Sequence, residues 1–240
     1  MVDTARRLKG LVGALGARAN PETPWIARVA GCTVDEAQDA VDSVEDYELE
    51  VRQLSETIRL TGRSYYAQFP APIELYALVR LTRPRILVES GVASGVSSAF
   101  MLLGTRANSL GTLHSIDLPV LRSRIRGNES WAIPQGLSSG WAIPPDVRDG
   151  WDLRLGRSED LLRPLLDEVG TLDFYCHDSP VDVEHFEFEM KAIRQHLKPG
   201  SVVVSDNTDR GVFDETAESM GARASYRRKS SLGAFRVPIR

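Results

Sequence analysis

The chain has 240 residues, 42% of them hydrophobic and 26% charged, and 29 Lys and Arg against 33 Asp and Glu give a net charge of −4. This is an ordinary globular composition, long enough to bury a sizeable core as one α/β domain with a terminal extension. The acidic balance argues against a nucleic-acid partner, which calls for a basic patch, and no apolar run approaches the length that spans a bilayer.

Residues 1–80 read as a helical extension. Arg6, Arg7 and Lys9 before the apolar stretch 11–17 faintly resemble a signal peptide, but Gly13 and Gly16 interrupt the stretch, and a first helix is the better reading. Cys32 and Cys176 have no CxxC spacing and read as reduced thiols of a cytoplasmic protein. Thr33-Val34-Asp35-Glu36 is a capping box, followed by Val34, Ala37, Val41 and Val44 on one helical stripe. The acids Asp35, Asp39, Asp42, Glu45, Asp46 and Glu48 read as a solvated face. A further helix over 73–81 is stopped by Pro84.

From Arg85 short apolar runs alternate with helical patterns, as in βαβ units with a parallel sheet. The spacing predicts strands at 86–89, 112–116, 151–155, 172–176, 201–205, 224–228 and 233–237, with helices at 95–103, 158–168, 183–197 and 213–220. The expected fold is therefore α/β: a Rossmann-like, seven-stranded, mostly parallel sheet over 81–240, its last strand antiparallel. Residues 120–150 form an irregular insertion with a short duplication, Trp131-Ala132-Ile133-Pro134 and Trp141-Ala142-Ile143-Pro144. Two copies are too few for a solenoid. Loops of this length are usually functional or mobile.

In Glu89-Ser90-Gly91-Val92-Ala93-Ser94-Gly95 a strand ends at an acid and a glycine turn leads into a helix. Such a turn lets a ligand rest on bare backbone at the carboxyl edge of the sheet. The Gly-x-x-x-Gly spacing differs from the dinucleotide fingerprint, which weakens a nicotinamide dehydrogenase reading. An acid in the turn disfavours a pyrophosphate and suits an amine such as the α-ammonium of S-adenosylmethionine. Asp117 ends the next strand, 22 residues after Gly95. A carboxylate there accepts both ribose hydroxyls. Alone it reads equally as a cap or turn residue; beside the glycine turn, the ribose role is favoured.

Residues 89–97 resemble motif I of the class I S-adenosylmethionine-dependent methyltransferases, closest to the catechol and caffeoyl-CoA type of O-methyltransferase. The likeness extends over 85–211. It implies cofactor binding by Glu89, Gly91, Gly95, Ser97, Asp117 and Asp178. It also places Ser158 and Glu159, in Gly156-Arg157-Ser158-Glu159-Asp160, against the adenine. His177-Asp178-Ser179 and Ser205-Asp206-Asn207 resemble that family's metal-binding segments, implying a divalent cation such as Mg²⁺ on Asp178, Asp206 and Asn207. Gly140-Trp141-Ala142-Ile143-Pro144, His177-Asp178-Ser179 and Glu184-His185-Phe186 also resemble a bacterial sugar and natural-product branch.

A hydroxyl is a poor nucleophile until deprotonated, and a hard cation on oxygen ligands lowers its pKa. Without metal, Asp178 orients cofactor or acceptor, and Asp206 and Asn207 cap a turn. The family's base falls at Val181, which takes no proton. His185, one turn further on, and His177 are the replacement candidates; each also reads as structural. Trp131 and Trp141 cover the acceptor pocket or anchor the loop, and Arg122, Arg124 and Arg126 are solvated or face an anionic acceptor. The expectation is metal-assisted O-methylation of a small hydroxylated molecule, by a chain with no membrane or nucleic-acid partner and with a homodimer as default assembly. The alternatives are a metal-independent N- or O-methyltransferase and a cofactor-binding pseudoenzyme.

Overall fold

The structure is a computed structural model describing residues 10–14, 20–61, 69–119, 132–179, 182–206 and 208–239. Val181, Asn207, Trp131, Arg122, Arg124 and Arg126 lie outside the described residues, as do Arg6, Arg7 and Lys9.

Among the described residues, the helices α1 (Thr23–Ala30), α2 (Val34–Asp42), α3 (Glu48–Leu60) and α4 (Pro72–Thr82) precede the sheet. The capping box forms as read, the Thr33 hydroxyl accepting from the Glu36 N–H and the Glu36 carboxylate accepting from the Thr33 N–H at 2.8 Å. Then come β1 (Ile86–Ser90), α5 (Val96–Asn108), β2 (Thr112–Asp117), β3 (Trp151–Leu155), α6 (Ser158–Val169), β4 (Leu172–His177), α7 (Val183–Arg194), β5 (Leu197–Ser205), α8 (Arg210–Ser219), β6 (Ser225–Tyr226) and β7 (Gly233–Arg236).

The seven strands form one sheet in the order β3-β2-β1-β4-β5-β7-β6. Five are parallel, and β7 runs antiparallel to both β5 and β6. Alternation along each strand divides the core. Leu87, Leu113, Phe174, Val202 and Val204 face α4, α5 and the N-terminal helices. Val88, Tyr175, Val203 and Phe235 face α6, α7 and α8. Both faces are covered, as a parallel sheet requires. The chain order reverses between β1 and β4, the point where open α/β sheets bind ligands beyond their carboxyl ends.

Several boundaries differ from the sequence reading. Helix α5 runs on past residue 103 through Gly104, because that glycine is a packing device: a Cβ there would lie 2.7 Å from Val79 Cγ1 of α4. Helix α7 stops at Arg194 rather than 197, and β5 starts already at Leu197. Helix α8 begins three residues early because Asp209 caps it, accepting from the Val212 N–H at 3.1 Å. Strand β6 keeps only two of five expected residues.

A buried ion pair ties the amino-terminal part to the β6–β7 turn. Arg227 Nε donates to Glu74 Oε1 at 2.7 Å, both side chains being almost wholly buried, and Arg227 Nη2 donates to the Asn20 carbonyl at 2.8 Å. Burial raises the Glu74 carboxyl, and Arg227 opposes the rise.

Candidate active site

A cavity of about 320 Å³ opens at the carboxyl ends of β1, β2 and β4, within the size range of small-molecule sites. Gly91, Val92 and Ala93 floor it, Asp117 and Asp178 flank them, and Ser158, Glu159, His185 and Glu189 make the far wall.

The glycine turn is held by close approach. Gly91 has φ +86°, and a Cβ there would lie 2.2 Å from the Asp178 carbonyl oxygen, so the loops after β1 and β4 touch only because residue 91 has no side chain. The Asp178 N–H donates to the Ser90 carbonyl at 2.8 Å. Gly95, with φ +94°, lies against Ile143 of the insertion, where a Cβ would be 2.5 Å from Cγ1.

Glu89 lies behind this turn, fully buried and outside the cavity wall. The hydroxyls of Ser97, Ser98 and Ser115 donate to its carboxylate at 2.6, 2.6 and 2.7 Å. Burial pushes its pKa up to about 7; the three hydroxyls oppose the rise and the Asp117 charge adds to it. Its influence on a ligand in the cavity is therefore electrostatic, or relayed by Ser97, which is itself buried.

Asp117 faces the cavity. Its Oδ1 accepts from the Val92 N–H at 2.9 Å, and its Oδ2 accepts from the buried hydroxyl of Ser139. The insertion thus folds down on the glycine turn: the Gly140 N–H donates to the Ala93 carbonyl and the Ala142 N–H to that of Ser94. Arg148 fastens it from outside by donating to the carbonyls of Ile143 and Gly140, both at 3.1 Å. Trp141 is half-buried against the core.

Asp178 is half-buried in the wall. Burial lifts its carboxyl well above the usual range, and the charges of Asp206, Glu89 and Asp117 lift it further. Asp206 follows β5; its N–H donates to the His177 carbonyl at 3.0 Å, and its Oδ1 accepts from the Ser231 hydroxyl at 3.1 Å. Two of the three proposed metal donors therefore neighbour each other closely enough to repel, while Asn207 is outside the described residues. No cluster of three His, Cys, Asp or Glu side chains able to hold a metal occurs among the described residues, although a set of two aspartates and an asparagine is not of that type.

The two histidines considered as bases have different places. His177 is fully buried and does not line the cavity; its Nδ1 is 2.7 Å from Glu189 Oε2, and its ring meets Phe186 edge-on at 4.7 Å. That position suits holding the end of β4 and does not suit taking a substrate's proton. His185 does line the cavity. Its Nε2 is 3.1 Å from Glu189 Oε1 and its Nδ1 is 3.2 Å from Glu159 Oε1. The Glu189 contact, joined by Glu159, raises its pKa to about 9, so at neutral pH the ring is already protonated and accepts no further proton.

Glu189 itself is fully buried. Ser90 and Tyr175 donate to its Oε2 at 2.7 and 2.8 Å. Burial alone would raise its carboxyl, but the contacts with His177 and His185 outweigh that and hold it far below the usual range. The only sequence signal for Glu189 is its i,i+4 spacing from His185. Ser139 has none.

The sequence profile of the family described as a methyltransferase domain matches residues 88–208. No curated protein matches the chain. Among solved structures, an O-methyltransferase from Bacillus cereus in complex with SAH is 15% identical, with a TM-score of 0.53 over 78% of this chain and 90% of that one. The O-methyltransferase TomG from Streptomyces achromogenes, involved in tomaymycin synthesis and bound to SAM, is 21% identical, with a TM-score of 0.52 and the same coverage. A putative caffeoyl-CoA O-methyltransferase from Staphylococcus aureus is 12% identical, with a TM-score of 0.54 over 85% of this chain and 99% of that one. At these identities the likeness speaks for the fold alone.

Proposed function

This chain belongs to the methyltransferase-domain family, the class I S-adenosylmethionine-dependent methyltransferases, and from that premise we propose that it methylates an oxygen of a small hydroxylated molecule. The observation that carries this reading is the crowding of Asp117, Asp178 and the concealed Glu89 around one cavity at the topological switch point. Three acids gathered around one cavity favour a cationic ligand, and S-adenosylmethionine carries an ammonium and a sulfonium.

In this reading Gly91 to Ala93 carry the cofactor on bare backbone. Asp117 accepts the ribose hydroxyls, displacing or sharing with Ser139. Ser158 and Glu159 line the adenine. Glu89 attracts the ammonium from behind the turn through Ser97. S-adenosylmethionine supplies an activated methyl on a sulfonium carbon, so the protein's task is alignment and acceptor activation. Asp178 and Asp206, with Asn207, would hold a divalent cation, and the repulsion between the two aspartates is a state that a cation relieves. That ion would supply Lewis acidity toward the acceptor oxygen. A second reading rests on the same crowding: Asp178 alone orients the hydroxyl and takes its proton.

The experiment follows SAH release on a panel of catechols, phenols and sugar hydroxyls, before and after EDTA treatment. Turnover lost on chelation and restored by Mg²⁺ supports metal assistance. Turnover indifferent to EDTA supports Asp178 acting alone. Cofactor binding without turnover on any acceptor would favour a pseudoenzyme. Among the described residues no helix is long and apolar enough to cross a membrane.

A further inference from the structure

His185 touches three elements at once. Its Nδ1 faces Glu159 on the first turn of α6; its Nε2 lies 3.1 Å from Glu189 on its own helix α7, 3.1 Å from the Ser179 hydroxyl in the loop after β4, and 3.4 Å from the Ser158 hydroxyl. One partner carboxylate, Glu189, is completely buried and lines the cavity, so the charge opposite it is held at a fixed place. The other, Glu159, also pairs with Arg157 at 3.0 Å. We infer that His185 is a positioning residue, a cation wedged between Glu159 and Glu189 that fixes the α6 N-terminus against α7 and so sets the shape of the cofactor wall.

This inference rests on the proposed cofactor site and assigns His185 a role other than that of a base. The groups facing the ring decide its charge. Glu159 comes from α6 and Glu189 from α7. Asp182, the N-cap of α7, and Asp178, in the loop after β4, line the same cavity without contacting the ring at hydrogen-bond distance. Arg157 opposes them from before α6, through Glu159. The carboxylates of Glu189 and Glu159 outweigh burial and keep the ring charged at neutral pH, in line with its upward shift. Neutralising the ring leaves Glu189 with its other donors, Ser90, Tyr175 and His177, but releases Glu159 and the first turn of α6. The cofactor wall then loosens while the fold holds.

The test combines NMR titration of the histidine rings with calorimetric binding of SAH across pH 7 to 10. The His185 signal is assigned from His185→Gln. We expect that ring to titrate near 9 in the unmodified protein and lower in Glu159→Gln. SAH affinity should fall on the order of tenfold as pH passes through that titration, the scale of a lost charge-assisted contact. His185→Gln should bind SAH on the order of tenfold more weakly at pH 7, and His185→Arg, a permanent cation, should restore affinity and flatten its pH dependence. Binding by the wild type together with a ring titrating near the ordinary 6.5, or SAH affinity unchanged in His185→Gln, overturns this inference alone. A wild type that binds no SAH overturns the cofactor reading and this role with it.

Discussion

Replacing Glu89 with Gln should stabilise the protein at mildly alkaline pH. The Glu89 carboxyl rises from 4.5 in the unfolded chain to about 7 when buried, which corresponds to about 3 kcal/mol. The sign follows from proton counting. Between those two pH values the folded protein holds a proton that the unfolded chain has released, so stability falls as pH rises through the window and levels off above about 7. Glutamine removes that dependence. Its amide oxygen would accept from Ser98 and Ser115, and its amide nitrogen would donate to Ser97, whose hydroxyl need only rotate. Urea unfolding followed by circular dichroism should show the two proteins equal near pH 4, with Glu89→Gln ahead by up to about 3 kcal/mol near pH 8. The same variant should lose cofactor affinity, a stability penalty carried for function. A variant less stable than wild type at pH 8, or a difference that does not change with pH, would refute the reasoning.

Three further outcomes follow from local geometry. Gly91→Ala sets a Cβ 2.2 Å from the Asp178 carbonyl at φ +86°; it should destabilise by about 3 kcal/mol or more, read as a lowered urea midpoint. Arg227→Met leaves Glu74 buried and unpaired and should cost about 3–5 kcal/mol, whereas the double variant Glu74→Leu with Arg227→Met should recover most of it. His185→Gln should stay folded but lose about 1–3 kcal/mol by thermal denaturation, since it removes the charge facing the buried Glu189 carboxylate.

The alternation of strands and helices was legible because each strand of a doubly covered parallel sheet is a short apolar run. Element ends were less so. The spacing ended this helix at residue 103, whereas Gly104 is the contact that lets α5 continue against α4. The antiparallel pairing of β6 with β7 was legible in two short runs separated by Ser230 and Ser231, but the shortness of β6 was not. At the site, the acids and glycines at strand ends were visible because a switch point gathers such residues: Gly91, Asp117 and Asp178 do stand around one cavity, with Glu89 set behind it. What the sequence could not carry is long-range. The seating of Ser139 and Ile143 on the glycine turn joins segments separated by more than 20 residues. The charge on His185 comes first from Glu189, four residues along the same helix, and then from Glu159, 26 positions away, so only the nearer half of that environment was legible.

The central claim is that the cavity bounded by Gly91, Asp117 and Asp178 holds S-adenosylmethionine. Isothermal titration of the purified protein with S-adenosylmethionine and S-adenosylhomocysteine, each with and without Mg²⁺, tests it most directly. Micromolar binding is expected, abolished in Asp117→Ala while that variant stays folded. No binding under any of these conditions, or binding undiminished in Asp117→Ala, would contradict it.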